Sequence, residues 1–157
     1  MNILYVMIGV PGSGKSTIAQ RLVDSRPNTI WISRDKIRFS IIRENEEYFS
    51  KEKEVYREFI RQINVGLSEG HNVIADATHL NEKSRFKLFR NIRYNPNETK
   101  IIGIVVDTPI EECIKRNNNR KGTRAFVPIN DLYQMYENFS MPTNNETRFD
   151  SIYRLEN

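Results

Sequence analysis

Gly9-Val10-Pro11-Gly12-Ser13-Gly14-Lys15-Ser16 is the stretch on which the reading of this chain turns. It follows a continuously apolar run, Ile3 to Gly9, of the kind expected for a strand buried on both faces. It precedes Ser16 to Asp24, where Ile18 and Leu22, and Ala19 and Val23, recur at a spacing of four. The pattern is G-x-x-x-x-G-K-[ST] without a gap. Glycines let backbone N–H groups turn inward around phosphate oxygens, and the helix that follows presents its positive end to them. Lys15 is expected to reach the β- and γ-phosphates of ATP or another nucleoside triphosphate, and Ser16 to offer its hydroxyl to Mg²⁺. Gly9, Pro11, Gly12, Ser13, Gly14 and Thr17 complete the expected phosphate-binding set. The bland alternative is a glycine-rich turn that only joins strand to helix. A position between a buried strand and an amphipathic helix argues against it.

Outward from this loop, apolar runs and helical patterns alternate. Thr29 to Ser33, Asn72 to Ala75 and Lys100 to Asp107 read as strands. Glu52 to Ser68 repeats Val55, Phe59, Ile63 and Leu67 on one helical face. Asn81 to Tyr94 reads as an N-capped helix with Phe86, Phe89 and Ile92 inward. Thr108-Pro109-Ile110-Glu111 has the form of a capping box with proline at the first helical position. Pro128 opens a last helix through Ile129, Leu132, Met135, Tyr136 and Phe139; residues 143–146 read as a loop and Phe149 to Leu155 as a final strand. The expectation is one α/β domain over residues 1–157, a three-layer P-loop NTPase/kinase fold with a mostly parallel central sheet and a helical lid over about 112–127.

Composition removes other classes. The 157 residues are 38% hydrophobic, enough for one core and not for a second catalytic domain. A single cysteine, Cys113, and two histidines make neither an internal disulfide nor a zinc cluster, and Cys113 reads as a small core side chain. The apolar start is too short for a membrane span and lacks the basic flank of a signal peptide, so a cytoplasmic protein without a membrane partner is expected.

The second strand ends in Ser33-Arg34-Asp35-Lys36-Ile37-Arg38. As a parallel neighbour of the first strand, it is expected to deliver these side chains to the phosphate-loop edge. A hydroxyl that accepts a phosphoryl group needs a carboxylate to orient it and take its proton, and Asp35 has that character. Arg38, three residues on, shares a helix face with Asp35 and suits an anion on the acceptor. The alternative is an aspartate helix cap beside an exposed arginine.

These two motifs, with the later run Lys115 to Pro128, resemble the 5′-kinase domain of bacteriophage polynucleotide kinase, over residues 1 to about 140. The resemblance implies an ATP- and Mg²⁺-dependent transfer to the 5′-hydroxyl ends of DNA or RNA, in the cytoplasm, including that of a phage-infected host. It implies Lys15, Asp35, Arg116 and Arg120 as catalytic residues, with Asp35 the general base and the two arginines on the lid. Their spacing of four independently puts Arg116 and Arg120 on one helical face. It further implies that Arg38 holds the 3′-phosphate of the terminal nucleotide, that Arg124 assists on the donor phosphates, and that Val127 supports the terminal base, with Thr78 also touching the acceptor.

The chain departs from the phage pattern twice. Its lid is one residue longer, so Arg120 or Lys121 takes the critical place; the guanidinium fork favours Arg120. Its third strand ends in Asp76-Ala77-Thr78, as in related small phosphate-loop kinases, so Asp76 either acts on Mg²⁺ through water or caps the turn. His79 reads as a hydrogen-bonding loop residue, Trp31 and the phenylalanines as core, and the cluster Glu44, Glu46, Glu47, Glu52, Glu54 and Glu58 as a solvated face. Two rivals share the phosphate loop: a kinase for a small hydroxyl substrate such as a nucleoside, sugar or antibiotic, and a non-catalytic nucleotide-dependent module.

The net charge of +4 hides a placement. Fourteen of the 24 basic residues fall in 33–43, 83–93 and 115–124, with Asp35 the one acid among them. Two of these segments flank the expected acceptor and lid sites, as an anionic substrate requires. Whether the middle one joins them depends on the fold.

Overall fold

The apolar runs become the strands of one parallel sheet: β1 (Asn2–Ile8), β2 (Thr29–Ser33), β3 (Asn72–Asp76), β4 (Thr99–Asp107) and β5 (Ser151–Glu156), in the order β2-β3-β1-β4-β5. The computed structural model describes residues 1–143 and 145–156; Asn144 in the expected loop and Asn157 lie outside the described residues. The second strand is not the neighbour of the first that the sequence predicts, because β3 lies between them. The reason is burial. Val73, Ile74 and Ala75 are fully buried and suit an interior position, whereas Thr29, Trp31 and Ser33 are only half-buried and suit an edge.

Side chains alternate along a strand, so each strand serves two layers. Leu4, Val6 and Ile8, with Val73, Ala75 and Val105, meet Val55, Phe59 and Ile63 of α3 (Glu52–Ser68) and Leu88 and Phe89 of α4 (Glu82–Asn91). Tyr5, Met7, Ile74, Ile104 and Val106 face the opposite way, onto Ala19 and Leu22 of α1 (Lys15–Ser25). The three-layer α/β fold is thus written in the period of two.

The helix ends decide what reaches the site. Ser33 caps α2 (Arg34–Ile41) by accepting from the Lys36 amide. Asn81 caps α4 in a reciprocal box with Ser84. Ahead of α5 (Ile110–Asn118) no box forms, because the Thr108 hydroxyl donates to the Ser13 carbonyl at 2.6 Å instead of capping the helix. Pro128 precedes α6 (Ile129–Glu137), whose Leu132 is buried while Ile129 and Tyr136 are exposed.

Two core assignments change. Phe86, expected inward, is 64% exposed, and Arg85 is buried to 0% in its place. The inward stripe of α4 runs through Arg85, Leu88, Phe89 and Ile92, and Phe86 falls to its side. Arg85 tolerates burial because Glu146 accepts from its Nε at 2.6 Å and its Nη2 at 3.0 Å, and the His79 carbonyl accepts from Nη1 at 2.9 Å. Phe149 precedes β5 instead of opening it, and packs edge-on to Phe89 with ring centres 5.1 Å apart. Among the described residues no helix is long and apolar enough to cross a membrane.

Candidate active site

The phosphate loop links β1 to α1 at the end of the sheet where β1, β3 and β4 finish. Gly12 has φ +83, and a Cβ there would stand 2.9 Å from the Cys113 carbonyl of α5. The loop and the start of the expected lid can therefore approach only through a glycine. Gly14 (φ 104) turns the chain into α1. The Gly9 amide donates to the Thr78 carbonyl at 3.0 Å, which ties the loop to the β3–α4 turn. Lys15 is folded back on this loop: its Nζ donates to the Gly9 and Val10 carbonyls at 2.8 and 3.0 Å. Burial pushes its ammonium pKa down, against the opposing pull of Asp76 and Asp35.

The segment expected as lid closes over this loop. Arg116 donates from Nη1 to the Gly12 carbonyl at 3.0 Å and pairs with Glu112 at 3.3 Å. Arg120 lies beyond the last residue of α5, so it does not share a helical face with Arg116. Its charge nonetheless acts on Lys15, and both arginines line the same cleft. Lys121 is exposed and outside that lining. Asn117 makes the segment a closed loop, with its amide nitrogen donating to the Val127 carbonyl at 2.8 Å and its amide oxygen accepting from the Val127 amide at 3.0 Å. This brings buried Val127 into the cleft wall. Arg124 points elsewhere: it donates to the Ile42 carbonyl at 2.7 Å and lies over the Phe39 ring.

Across the cleft stands α2. Asp35 is 52% exposed at its side chain, and Arg38 is buried to 4%. Arg38 donates to Asp35 Oδ1 from Nη1, to the Tyr48 hydroxyl from the same nitrogen at 2.8 Å, and to both Glu52 oxygens at 2.7 and 3.0 Å. Tyr48 in turn donates to Asp35 Oδ1. Two donors thus converge on one Asp35 oxygen. Burial raises the Glu52 carboxyl, but its bonds to Arg38 and Arg34 outweigh this and hold it below the ordinary carboxylate range. The cleft enclosed by the loop, α2, α3 and the lid segment measures about 730 Å³.

Asp76 ends β3 on the cleft wall, opposite Ser33 in register. Its Oδ2 accepts from the Trp31 indole at 2.9 Å. Burial raises its carboxyl pKa, with Lys15 and the indole pulling it back down. Beside it His79 is buried with φ 44, its Nδ1 2.6 Å from the Met7 carbonyl. Burial drives its pKa to about 4, so the imidazole is neutral and donates there.

Residues 4–142 match the family AAA_33, an AAA domain. The chain belongs to that family. A chain of the Pnkp1/Rnl/Hen1 RNA repair complex is 26% identical over 88% of this chain, at a TM-score of 0.66. This protein spans 46% of that longer chain's length. A fungal RNA kinase is 16% identical, covering 98% of this chain and 73% of its own, at a TM-score of 0.64. A sugar kinase from Janibacter sp. HTCC2649 is 21% identical, covering 99% and 85%, at 0.63. Those two show the fold alone. The fold is that of a P-loop kinase, with a nucleotide site at its loop.

Within this AAA-family domain, Pro11, Gly12, Gly14, Lys15, Ser16, Thr17, Asp35, Arg38, Asp76, Thr78, Arg116, Arg120 and Val127 all line the one cleft. Gly9 and Ser13 support it from behind, through their bonds to Thr78 and Thr108. Glu52 leaves the solvated face assigned to it, because α3 begins beside α2 and turns this carboxylate onto Arg34 and Arg38. Tyr48 and Asn117 escape a reading of the sequence. Tyr48 carries no motif, and Asn117 differs from Asn118 and Asn119 only in facing inward. Trp31 is no simple core residue, since its indole serves Asp76.

Proposed function

We propose that this protein is an ATP-dependent kinase that transfers the γ-phosphate to the 5′-hydroxyl end of DNA or RNA. The observation that carries this reading is a single cleft walled by Lys15 on one side and by the Asp35–Arg38 pair on the other. Lys15 exchanges its carbonyl partners for donor phosphates. Arg116 and Arg120 neutralise charge on the transferring group. Tyr48 and Arg38 occupy Asp35 Oδ1, which leaves Oδ2 to accept the substrate hydroxyl. The 5′-oxygen attacks the γ-phosphorus, the bond to the β–γ bridging oxygen breaks, ADP leaves, and the hydroxyl proton passes to Asp35. A 3′-phosphate on the acceptor meets Arg38 at Nη2, whose second proton is the one that the bonds to Asp35, Tyr48 and Glu52 leave over.

Ser16 and Asp76 are hard oxygen donors in the cleft beside Lys15, and no cluster of three metal-ligating side chains exists among the described residues. That sparse set fits Mg²⁺, which keeps waters and substrate phosphates as most of its ligands. When bound, the ion supplies charge to the donor phosphates.

The rival reading, a kinase for a small alcohol, draws on the sugar-kinase likeness. Labelled ATP is offered with a 5′-hydroxyl oligonucleotide, a free nucleoside and a panel of sugars. Label is expected on the oligonucleotide; label on a nucleoside or sugar and never on the oligonucleotide overturns the proposal.

A further inference from the structure

A second cleft, of about 420 Å³, opens between α3 and α4 and begins where the first ends, since Arg34 and Glu52 line both. The phosphoryl transfer makes no use of it. Its wall carries Arg34, Lys53, Arg57 and Lys87 against the single carboxylate of Glu52. That carboxylate is already matched by Arg34 at 2.9 Å and Arg38 at 2.7 Å. Lys53, Arg57 and Lys87 enter no ion pair among the described residues. Tyr56 gathers the cations: the Lys87 ammonium lies 4.3 Å and the Arg34 guanidinium 5.2 Å from its ring centre. Lys53, Tyr56 and Arg57 lie three and four residues apart, so they form one face of α3 leading away from Asp35. From Glu52 to Ile60 that face rises ~12 Å, enough to meet more than one backbone phosphate of a strand.

We infer that this cleft binds backbone phosphates of the acceptor strand, on the 3′ side of the nucleotide being phosphorylated. The inference rests on the polynucleotide-kinase reading and deepens it: the cleft selects a strand over a mononucleotide. Its chemistry is charge complementarity along a path. The unpaired cations take phosphates, and the Tyr56 ring, with Arg34 over it, continues the surface from one cleft to the next.

The test compares wild type with Arg57→Ala/Lys87→Ala, both exposed positions, on a nucleoside 3′-monophosphate and on a short single-stranded oligonucleotide. The variant is expected to lose kcat/KM on the oligonucleotide by on the order of tenfold more than on the monophosphate, through KM. The slope of log kcat/KM against log salt on the oligonucleotide becomes shallower by ~0.7 for each phosphate left without its cation. Lys87→Glu deepens the loss. Equal loss on both substrates, or none, overturns the inference and leaves the kinase reading standing. Wild-type protein that phosphorylates neither 5′-hydroxyl overturns that reading itself.

Discussion

The donor half of the cleft is made of backbone, the acceptor half of side chains. Around the phosphate site, one uninterrupted segment supplies amides, a lysine and a hydroxyl; its neighbours touch it at carbonyls, Arg116 at Gly12 and Thr108 at Ser13, and its own Lys15 folds back on those of Gly9 and Val10. Around Asp35, four side chains from α2, the α2–α3 connection and α3 hold one another through charge-assisted bonds. A backbone site tolerates little change of conformation but much change of neighbouring side chain. A side-chain network is sensitive at every member, because removing one leaves another buried and unmatched.

Lys15→Ala strikes the donor half where side chain does matter, and gives the largest expected effect. Transfer falls by on the order of 10³-fold or more, while the fold is kept, as single-turnover kinetics and a melting curve will report. Asp35→Asn tests the other half: kcat falls by about 10²- to 10⁴-fold, and ATP affinity stays within a few-fold of wild type because the loop is untouched. Loss of ATP binding in that variant breaks the division between the halves.

Glu52→Gln sharpens it. This change leaves Arg38 buried with two of its four side-chain hydrogen bonds weakened, so it acts on both activity and stability. Glu52 is partly exposed, so urea unfolding is expected to show a loss of about 1–2 kcal/mol, below that of a fully buried pair. Acceptor KM rises, and donor KM does not.

The smallest effect on phosphoryl transfer sits at the turn between the halves, where the change is one of stability. The His79 imidazole titrates at about 4 in the fold against an ordinary 6.5. The unfolded chain therefore binds the extra proton first as pH falls. Its contribution to stability is full above pH 6.5 and drains away toward pH 4, by on the order of 3 kcal/mol. His79→Asn keeps a residue that accepts the left-handed backbone at φ 44 and removes the titration. Denaturation midpoints for the variant between pH 4 and 6.5 should fall less steeply than for wild type.

This contrast also explains what could be read in advance. The phosphate loop is contiguous, so spacing alone announces it. The strand Thr29–Ser33 and the helix Glu52–Ser68 follow directly from apolar periodicity. Arg85 and Phe86 exchange places because a hydrophobic pattern assigns arginine outside; only Glu146, sixty-one residues away, makes its burial tolerable. Thr108 leaves its capping box for the same kind of reason, a partner on the loop that no local window contains.

By itself the sequence determined a parallel α/β sheet, a phosphate loop at the end of its first strand, and a carboxylate–arginine pair after its second. These depend on local periodicity and on residues near one another in the chain. Tertiary structure decided that β3 separates β1 from β2, that Glu52 and Tyr48 hold the pair, and that Asn117 fixes Val127. It also divided the basic middle segment, burying Arg85 in the core and turning Lys87 onto the second cleft. Burial set the strand order, and hydrogen bonds and ion pairs between side chains that no single helical turn or strand brings together made the other choices.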